Sequence, residues 1–281
     1  YKRQALERSE FVAHYQPRVC PADGRISSVE ALIRWQHPVR GLLYPGAFIE
    51  LAESSGLIGR MGHWMLETAC AQMAVWQRDG VPIERVSVNV SPLQLESGEL
   101  VGQVRAALNR HGLAGERLEL EVTESLLVGD ATSACEQLSE LRRCGVTVAL
   151  DDFGTGYSSL ATLRRLPVDV MKIDRSFVID LGSDDGAMAV TTAIVALARS
   201  MGLKLVAEGI ETAVQDAVLR TLGCDEFQGY LYSRPLAPDV LVRLPGLQGK
   251  AGHVEESVPP TGLPDATSTA QADGRALLLP G

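Results

Sequence analysis

The sequence lacks the features of a membrane-spanning or secreted protein. No apolar run reaches the roughly 18 residues that a membrane-spanning helix needs. Residues 1–8 are mostly charged or polar and contain no apolar core of a signal peptide. The 26 Lys and Arg residues form no basic block, and the net charge is −9. We therefore expect neither a nucleic-acid polymer nor a membrane surface among the partners.

Cysteine is also scarce, which excludes two kinds of site. The five cysteines are odd in number and include no Cys-x-x-Cys pair, so we expect neither a disulfide framework nor a zinc site. They are predicted to be free, buried thiols of a cytoplasmic protein. The chain begins at Tyr1 rather than at a methionine, which indicates a piece of a longer protein.

Short apolar segments alternate with helical patterns over most of the chain. Strands are predicted at residues 11–20, 26–35, 86–90, 118–122, 146–150, 170–173, 203–207 and near Phe227. Helices are predicted at residues 45–56, 64–78, 100–111, 131–144, 158–166, 187–201 and 213–222. Glycines follow four of these helices, where a left-handed cap belongs: Gly112, Gly145, Gly202 and Gly223. This alternation favours an α/β fold with a mainly parallel sheet.

The number of strands favours a closed barrel over an open sheet. Eight strands in about 240 residues are typical of a (β/α)8 barrel. The turn signal Asp23-Gly24 predicts that the first two strands pair as an antiparallel hairpin, which an all-parallel barrel does not have. Residues 245–281 contain no aromatic side chain and several prolines. We therefore expect a barrel over residues 1–244 and a flexible tail over residues 245–281.

Polar side chains recur where the predicted strands end. They are Glu30, Asn89, Glu121, Asp151 with Asp152, Lys172, Glu208 and Gln228. Most are separated by about one β/α unit, roughly 30 residues, so a barrel would direct them into one mouth. Five carboxylates there would repel one another unless cations neutralise them. Carboxylate and amide oxygens select Mg²⁺ or Mn²⁺ over Zn²⁺.

The stretch after the strand at 146–150 is central to this prediction. Asp151 and Asp152 end a buried strand, and Gly154 and Gly156 then allow the chain to turn tightly or to move. The simplest alternative is a solvated turn that caps the next helix. Any one of the strand-end residues could likewise be an ordinary surface residue. Seven such positions in register favour a shared cation site over coincidence.

Ordered motifs along the chain resemble the EAL family of cyclic di-GMP phosphodiesterases. The signature is Glu30-Ala31-Leu32, followed by Ile33-Arg34-Trp35. The supporting motifs are Tyr15-Gln16-Pro17, Asn89-Val90-Ser91, Glu121-Val-Thr-Glu124, Asp151-Asp-Phe-Gly154, Lys172-Ile-Asp174, Glu208-Gly-Ile-Glu211 and Gln228-Gly229-Tyr230. The resemblance covers about residues 5–240. It implies a modified TIM (β/α)8 barrel whose first strand is antiparallel, in agreement with the predicted hairpin.

The resemblance also implies roles for individual residues. Glu30, Asn89, Glu121 and Asp151 match the ligands of one Mg²⁺ or Mn²⁺ ion, and Asp151, Asp152 and Glu208 surround a second. Lys172 and Gln228 match residues that orient the attacking water, so the implied catalytic set is Glu30, Asp152, Lys172, Glu208 and Gln228. The implied substrate contacts are Gln16, Leu32, Arg34 and Asp174. The product of hydrolysis would be the linear dinucleotide pGpG.

A loop beginning at Phe153 is expected to be regulatory. By the same resemblance, Glu124 anchors this loop, Gly154 and Gly156 let it change shape, and Glu211 belongs to the same group. The loop would couple a homodimer interface to the metal site, and an upstream sensory or regulatory domain would supply the signal. Arg18 and Ile210 are minor variations that we expect to lie outside the metal shell.

Two other functions compete with hydrolysis. One is a catalytically weak receptor that binds cyclic di-GMP and passes the signal to a partner, although a pure receptor has no need of Lys172 or Asp152. The other is a metal-dependent barrel that acts on an enolate. Arg34, Gln228 and the loop at Asp151 fit phosphodiester chemistry better.

Overall fold

The computed structural model describes Ala5 and residues 8–124, 131–154 and 163–247. Within these residues, nine strands form one sheet in the order β1-β9-β8-β7-β6-β5-β4-β2-β3, and β1 also pairs with β2. The strands are β1 (Phe11–Val19), β2 (Ile26–His37), β3 (Gly41–Leu43), β4 (Arg85–Val90), β5 (Leu118–Thr123), β6 (Thr147–Asp151), β7 (Val170–Ile173), β8 (Lys204–Ala207) and β9 (Glu226–Phe227). The extra pairing closes eight strands into a barrel and leaves β3 as an appendage on β2.

Helices lie between the strands in chain order. They are α1 (Ile49–Ser54), α2 (Ile58–Arg78), α3 (Pro92–Glu96), α4 (Leu100–His111), α5 (Ala131–Arg143), α6 (Arg175–Val178), α7 (Asp185–Ser200), α8 (Ala213–Leu222) and α9 (Pro238–Leu241). Buried apolar side chains of the longer helices, such as Met73 and Trp76 of α2, pack with the apolar residues of the strands in one core. None of the described helices is both long enough and apolar enough to cross a membrane.

The first strand gives the barrel its mixed sheet. β1 runs antiparallel to β2, with Gln16 opposite Glu30, and closes the barrel through an antiparallel pairing of Val19 with Phe227. The pairings of β2 with β4 and from β4 through β9 are parallel. The predicted modified TIM barrel with an antiparallel first strand is therefore confirmed.

Most predicted elements lie close to their predicted positions, and the largest differences concern short elements. Residues 45–56 form a 3-10 turn (Pro45–Ala47) followed by α1, and α2 begins at Ile58, six residues before its predicted start. The short elements β3, α3, α6 and α9 were not predicted, because elements of three to five residues show too little periodicity to be recognised. The predicted helix at 158–166 lies outside the described residues up to residue 162, and the tail lies outside them from residue 248 onward.

The five cysteines are free, as predicted. Only Cys70 and Cys224 are buried, whereas Cys20, Cys135 and Cys144 are partly exposed. The prediction that all five are buried is therefore wrong.

Candidate active site

The polar residues at the strand ends converge at one end of the barrel, where a buried lysine lies among carboxylates. Lys172, one residue before the end of β7, is 1% exposed. Its Nζ donates a hydrogen bond to Oε2 of Glu121 and lies 3.0 Å from Oδ2 of Asp151 and 2.7 Å from Oε1 of Glu208. Because β5, β6, β7 and β8 are parallel neighbours, their C-terminal ends bring these four side chains together.

Glu30 lies on the other side of the same mouth, among amides. Its Oε1 accepts a hydrogen bond from Nδ2 of Asn89 at 2.8 Å, and its Oε2 accepts one from Nε2 of Gln228 at 2.5 Å. The same Nε2 lies 3.2 Å from Oε1 of Gln16 on β1. Glu30 occupies the part of β2 that pairs with β4, so the hairpin strand contributes to the mouth as the parallel strands do.

Burial raises the pKa values of most carboxylates in the mouth. Burial and the neighbouring Glu121 raise the pKa of Glu30, and burial raises the pKa of Asp151. Burial raises the pKa of Glu208 to about 8, although Lys172 acts in the opposite direction. Burial would also raise the pKa of Glu121, but the charges of Lys172 and Arg18 outweigh it and lower that pKa to about 2.

These residues fit a hard divalent cation in their chemistry. The donors are carboxylate and amide oxygens, and Oε1 of Glu208 is buried without a hydrogen bond in acceptable geometry, despite its proximity to Lys172. Among the described residues, no three acidic, His or Cys side chains form a preformed metal-binding group. The ammonium of Lys172 lies between three of the carboxylates, which would otherwise repel one another. A divalent cation bound there would favour the ionised form of these carboxylates.

Comparison with known proteins assigns this barrel to a family. Residues 2–235 match the family model described as the EAL domain. The chain belongs to the EAL domain family. It is 48% identical over 240 residues to the bifunctional diguanylate cyclase/cyclic di-GMP phosphodiesterase MucR of Pseudomonas aeruginosa, covering 85% of this chain and 35% of MucR. It is 47% identical over 234 residues to the cyclic di-GMP phosphodiesterase NbdA of the same organism, covering 83% of this chain and 30% of NbdA.

Solved structures agree with this assignment. A structure named PaMucR phosphodiesterase, c-di-GMP complex, superposes with a TM-score of 0.82 at 48% identity, covering 85% of this chain and 97% of that one. The EAL domain of Mycobacterium smegmatis DcpA superposes with a TM-score of 0.72 at 39% identity, covering 82% and 95%. The chain spans only about a third of the length of the curated relatives MucR and NbdA. Divalent metal use is implied by membership of the EAL family.

One wall of the EAL mouth carries an arginine with an unused donor. Arg34 is buried, its NH1 donates to the carbonyl oxygen of Ile33 at 2.9 Å, and its guanidinium lies 4.9 Å from the ring centre of Tyr44. Its Nε is buried without a hydrogen-bond partner. An unpartnered guanidinium N–H is a donor suited to a phosphate oxygen.

Two of the cavities formed by the described residues differ in their relation to the mouth. One, of about 490 Å³, is lined by Leu32, Asn89 and apolar residues of α1 and α2, so the predicted substrate residue Leu32 lies beside the mouth. The other, of about 600 Å³, is lined by residues of α2, α3 and α4 such as Trp64 and Gln103 and by none of the carboxylates of the mouth. Of these two cavities, the first is placed to receive part of a substrate held at the mouth.

The loop after β6 begins with a residue in a strained backbone conformation. Asp152 has a left-handed backbone with φ 55°, which few residues other than glycine adopt. Burial and then the charge of Asp174 raise the pKa of Asp152. Oε2 of Glu124 accepts a hydrogen bond from N of Gly154 at 3.0 Å, at the start of this loop. Gly156 lies outside the described residues.

Glycine is required at Gly154 for two reasons. Its φ is 90°, and a Cβ atom there would lie 2.9 Å from Cζ of Phe177. Phe153, which precedes it, is mostly buried in the main apolar core. The loop is therefore held at its start by Glu124, by the packing of Phe153 and by the close approach of Phe177.

Two predicted site residues have contacts outside the carboxylate cluster. Asp174 caps α6, where its Oδ1 accepts a hydrogen bond from N of Ser176 at 3.0 Å. Glu211 forms an exposed ion pair with Arg175 at 2.9 Å. These contacts are structural, and they give Glu211 no place in the mouth.

Sequence reasoning missed a second buried cation beneath the mouth. Arg18, which we expected to lie outside the metal shell, is fully buried and donates to both Glu121 and Gln228, directly behind the predicted ligands. It also donates to Glu119, a second buried carboxylate that we had not predicted. The alternation in each strand was the available signal, because Arg18 shares a strand face with Gln16, and Glu119 shares one with Glu121.

Proposed function

We propose that this EAL domain hydrolyses cyclic di-GMP to linear pGpG with two divalent cations, Mg²⁺ or Mn²⁺. The observation that carries the proposal is the buried cluster in which Lys172 contacts Glu121, Asp151 and Glu208, with Glu30 and Asn89 on the facing side. The names of MucR and NbdA and the cyclic di-GMP complex of PaMucR support it.

The proposed metal ligands are Glu30, Asn89, Glu121, Asp151, Asp152 and Glu208. When bound, the cations supply Lewis acidity and lower the pKa of the water that attacks the phosphorus. Lys172 holds a positive charge at the mouth, which would stabilise the charge that develops on the phosphoryl oxygens. Its own pKa is raised, because the surrounding carboxylates outweigh the effect of burial, so it does not act as a base.

Substrate binding is proposed to use the wall beside Glu30. The buried Nε of Arg34 donates to a phosphate oxygen, while Gln16 and Leu32 line the groove. Gln228 holds the carboxylate of Glu30 through its Nε2. Asp174 contributes by capping α6. Five further residues are proposed to belong to the regulatory loop and its surroundings: Glu124, Phe153, Gly154, Gly156 and Glu211.

We further propose a setting for this activity. The chain acts in the cytoplasm as a homodimer and as the output part of a longer signalling protein with an upstream sensory or regulatory domain. The net charge of −9 supports a small nucleotide rather than a nucleic-acid polymer as partner. The described barrel, which extends to the buried Leu247, carries the proposed activity, and residues 248–281 are proposed to be dispensable for it.

The direct test is an incubation of the chain with cyclic di-GMP and Mg²⁺ or Mn²⁺, followed by chromatographic separation of the nucleotides. We expect pGpG to appear, and we expect Glu30→Gln to abolish it, because the amide cannot neutralise a cation. Glu84→Gln, which removes an exposed carboxylate paired with Arg25, is the matched control and keeps full activity. Bound but intact cyclic di-GMP would establish the receptor instead, and no binding with either metal would contradict both functions.

A further inference from the structure

Arg18 connects the floor of the barrel to both sides of the mouth. Its Nε donates to Oε1 of Gln228 at 3.0 Å, and its NH1 donates to Oε1 of Glu119 at 2.5 Å. Its NH2 donates to Oγ of Ser87 at 3.0 Å and to Oε1 of Glu121. The side chain is fully buried, so these contacts are made without competition from water.

The contact with Gln228 orients the amide of that residue. Because Nε of Arg18 is a donor, it holds the carbonyl oxygen of the amide and directs Nε2 toward the mouth. There Nε2 donates to Oε2 of Glu30 and lies near Oε1 of Gln16. A flipped amide would place N–H against N–H on one side and oxygen against carboxylate on the other.

The contact with Glu121 holds that carboxylate between two cations. Arg18 binds Oε1 from below, and Lys172 binds Oε2 from the mouth. The two contacts together fix the carboxylate in orientation.

We propose that Arg18 is a positioning residue for the hydrolytic reaction, which holds Glu121 directly and Glu30 through Gln228. This inference rests on the proposed function, since it assigns a supporting role to a residue outside the metal ligands. A lysine cannot take this role, because one ammonium cannot reach acceptors that lie on two edges of a planar guanidinium.

The test compares Arg18→Lys with Arg85→Lys. Arg85 also lies beside Glu119, with Nε 3.3 Å from Oε2, and contacts neither Glu121 nor Gln228. We expect Arg18→Lys to lower kcat and the affinity for Mn²⁺ by about 10- to 100-fold, the range found when residues that orient metal ligands are replaced. KM changes less than kcat, and Arg85→Lys leaves kcat and Mn²⁺ affinity within about twofold of wild type.

A double-variant cycle separates positioning from general structural support. If Arg18 acts through Gln228, the kcat loss from Arg18→Lys shrinks when Gln228→Ala is already present, because coupled residues are not additive. Should Arg18→Lys not fold, the pair Arg18→Met with Glu119→Gln removes a cation and an anion together, which a barrel interior tolerates better than an unpaired charge. That variant, once folded, should show the same loss of kcat and Mn²⁺ affinity.

Mn²⁺ affinity measured by calorimetry separates this inference from the proposed function. A wild-type chain that fails to hydrolyse cyclic di-GMP contradicts the proposed function, yet weaker Mn²⁺ binding by Arg18→Lys would still support positioning. A folded Arg18→Lys variant, or its replacement pair, with wild-type kcat and Mn²⁺ affinity would overturn the role of Arg18. So would full additivity with Gln228→Ala.

Discussion

Two buried cations, Lys172 and Arg18, hold opposite oxygens of the same carboxylate, Glu121, from opposite sides. Lys172 lies at the mouth, where its other partners, Asp151 and Glu208, have side chains that are 12% and 18% exposed. Arg18 lies deeper, where both its carboxylate partners are essentially inaccessible to solvent. Lys172, the upper cation, can therefore exchange Asp151 and Glu208 for ions from solution. Arg18, the lower cation, cannot exchange its partners in this way.

Strand β5 supplies one carboxylate to the floor of the barrel and one to the mouth. Glu119 and Glu121 are two residues apart on β5 and point into the barrel, where Glu119 is paired only in the floor and Glu121 is shared with the mouth. Opposite this polar side, the interior is apolar, with Ala149, Val170 and Val206 packed together. The charged network is thus confined to the side of the barrel interior that carries Glu119 and Glu121, where the proposed ligands are held in place.

Removal of the upper cation should have the largest effect. Lys172→Met is expected to lower kcat by about 10²–10³-fold, because an electrostatic donor aimed at the reacting group is lost. The metal-free variant should also be less stable by about 3–5 kcal/mol, since Glu121, Asp151 and Glu208 then lose the buried cation that they share. Lys204→Met, at an exposed position on β8, is the control. A kcat of Lys172→Met close to that of wild type would contradict the larger catalytic role assigned to Lys172 than to Arg18.

The stability contributed by the carboxylates around Lys172 should depend on pH and metal, whereas that contributed by the contacts of Arg18 should not. The pKa of Glu208 is raised in the folded protein from 4.5 to about 8, so its protonated form is favoured by folding. Its contribution to stability is therefore present below pH 4.5 and is lost as the pH rises toward about 8.

Thermal unfolding of the metal-free protein checks this prediction. The unfolding midpoint should fall over that pH range, and Mn²⁺ should reverse the fall and release protons, which calorimetry in two buffers detects. Glu208→Gln should flatten the pH dependence. A midpoint that rises over the same range in the absence of metal would contradict this assignment.

The loop contact should have a smaller effect. Glu124→Gln replaces the acceptor of the Gly154 amide with a neutral one, and we expect kcat to fall by roughly tenfold, since a charge-assisted hydrogen bond is about twice as strong as a neutral one. Glu96→Gln, an exposed substitution on α3, is the control. Full activity and full metal affinity in Glu124→Gln would contradict the proposed role of Glu124 in anchoring the regulatory loop.

The smallest effect should come from Glu211. Its ion pair with Arg175 is exposed, and such pairs contribute about 0–1 kcal/mol to stability. Glu211→Gln should therefore change the unfolding midpoint and kcat only slightly in parallel assays with wild type. A tenfold loss of kcat would show that Glu211 acts on the mouth, contrary to its position.

The sequence predicted the barrel because its strands are continuous apolar runs separated by helices that end in glycine. Gly112 and Gly223 indeed adopt the left-handed conformation at the ends of α4 and α8. The first hairpin was predictable from the Asp23-Gly24 turn, and Gly24 has φ 72°. The strand-end residues of the mouth followed from the spacing of β/α units.

What the sequence did not predict depends on which face of a strand points inward. Barrel strands are buried on both faces, so the pattern does not by itself distinguish the interior from the helix side. Arg18 was thus treated as a variation beside a motif rather than as a buried cation. The short helix α3, which a capping box of Ser91 and Gln94 starts, is likewise too brief to show a helical period.

The most direct measurement is anomalous diffraction from crystals of the chain grown with Mn²⁺. The account predicts anomalous peaks bounded by Glu30, Asn89, Glu121 and Asp151, with Lys172 displaced from Asp151 or Glu208 and with every contact of Arg18 retained. Peaks elsewhere on the barrel, or ordered crystals with Mn²⁺ in the solvent and no peak in the mouth, would contradict it.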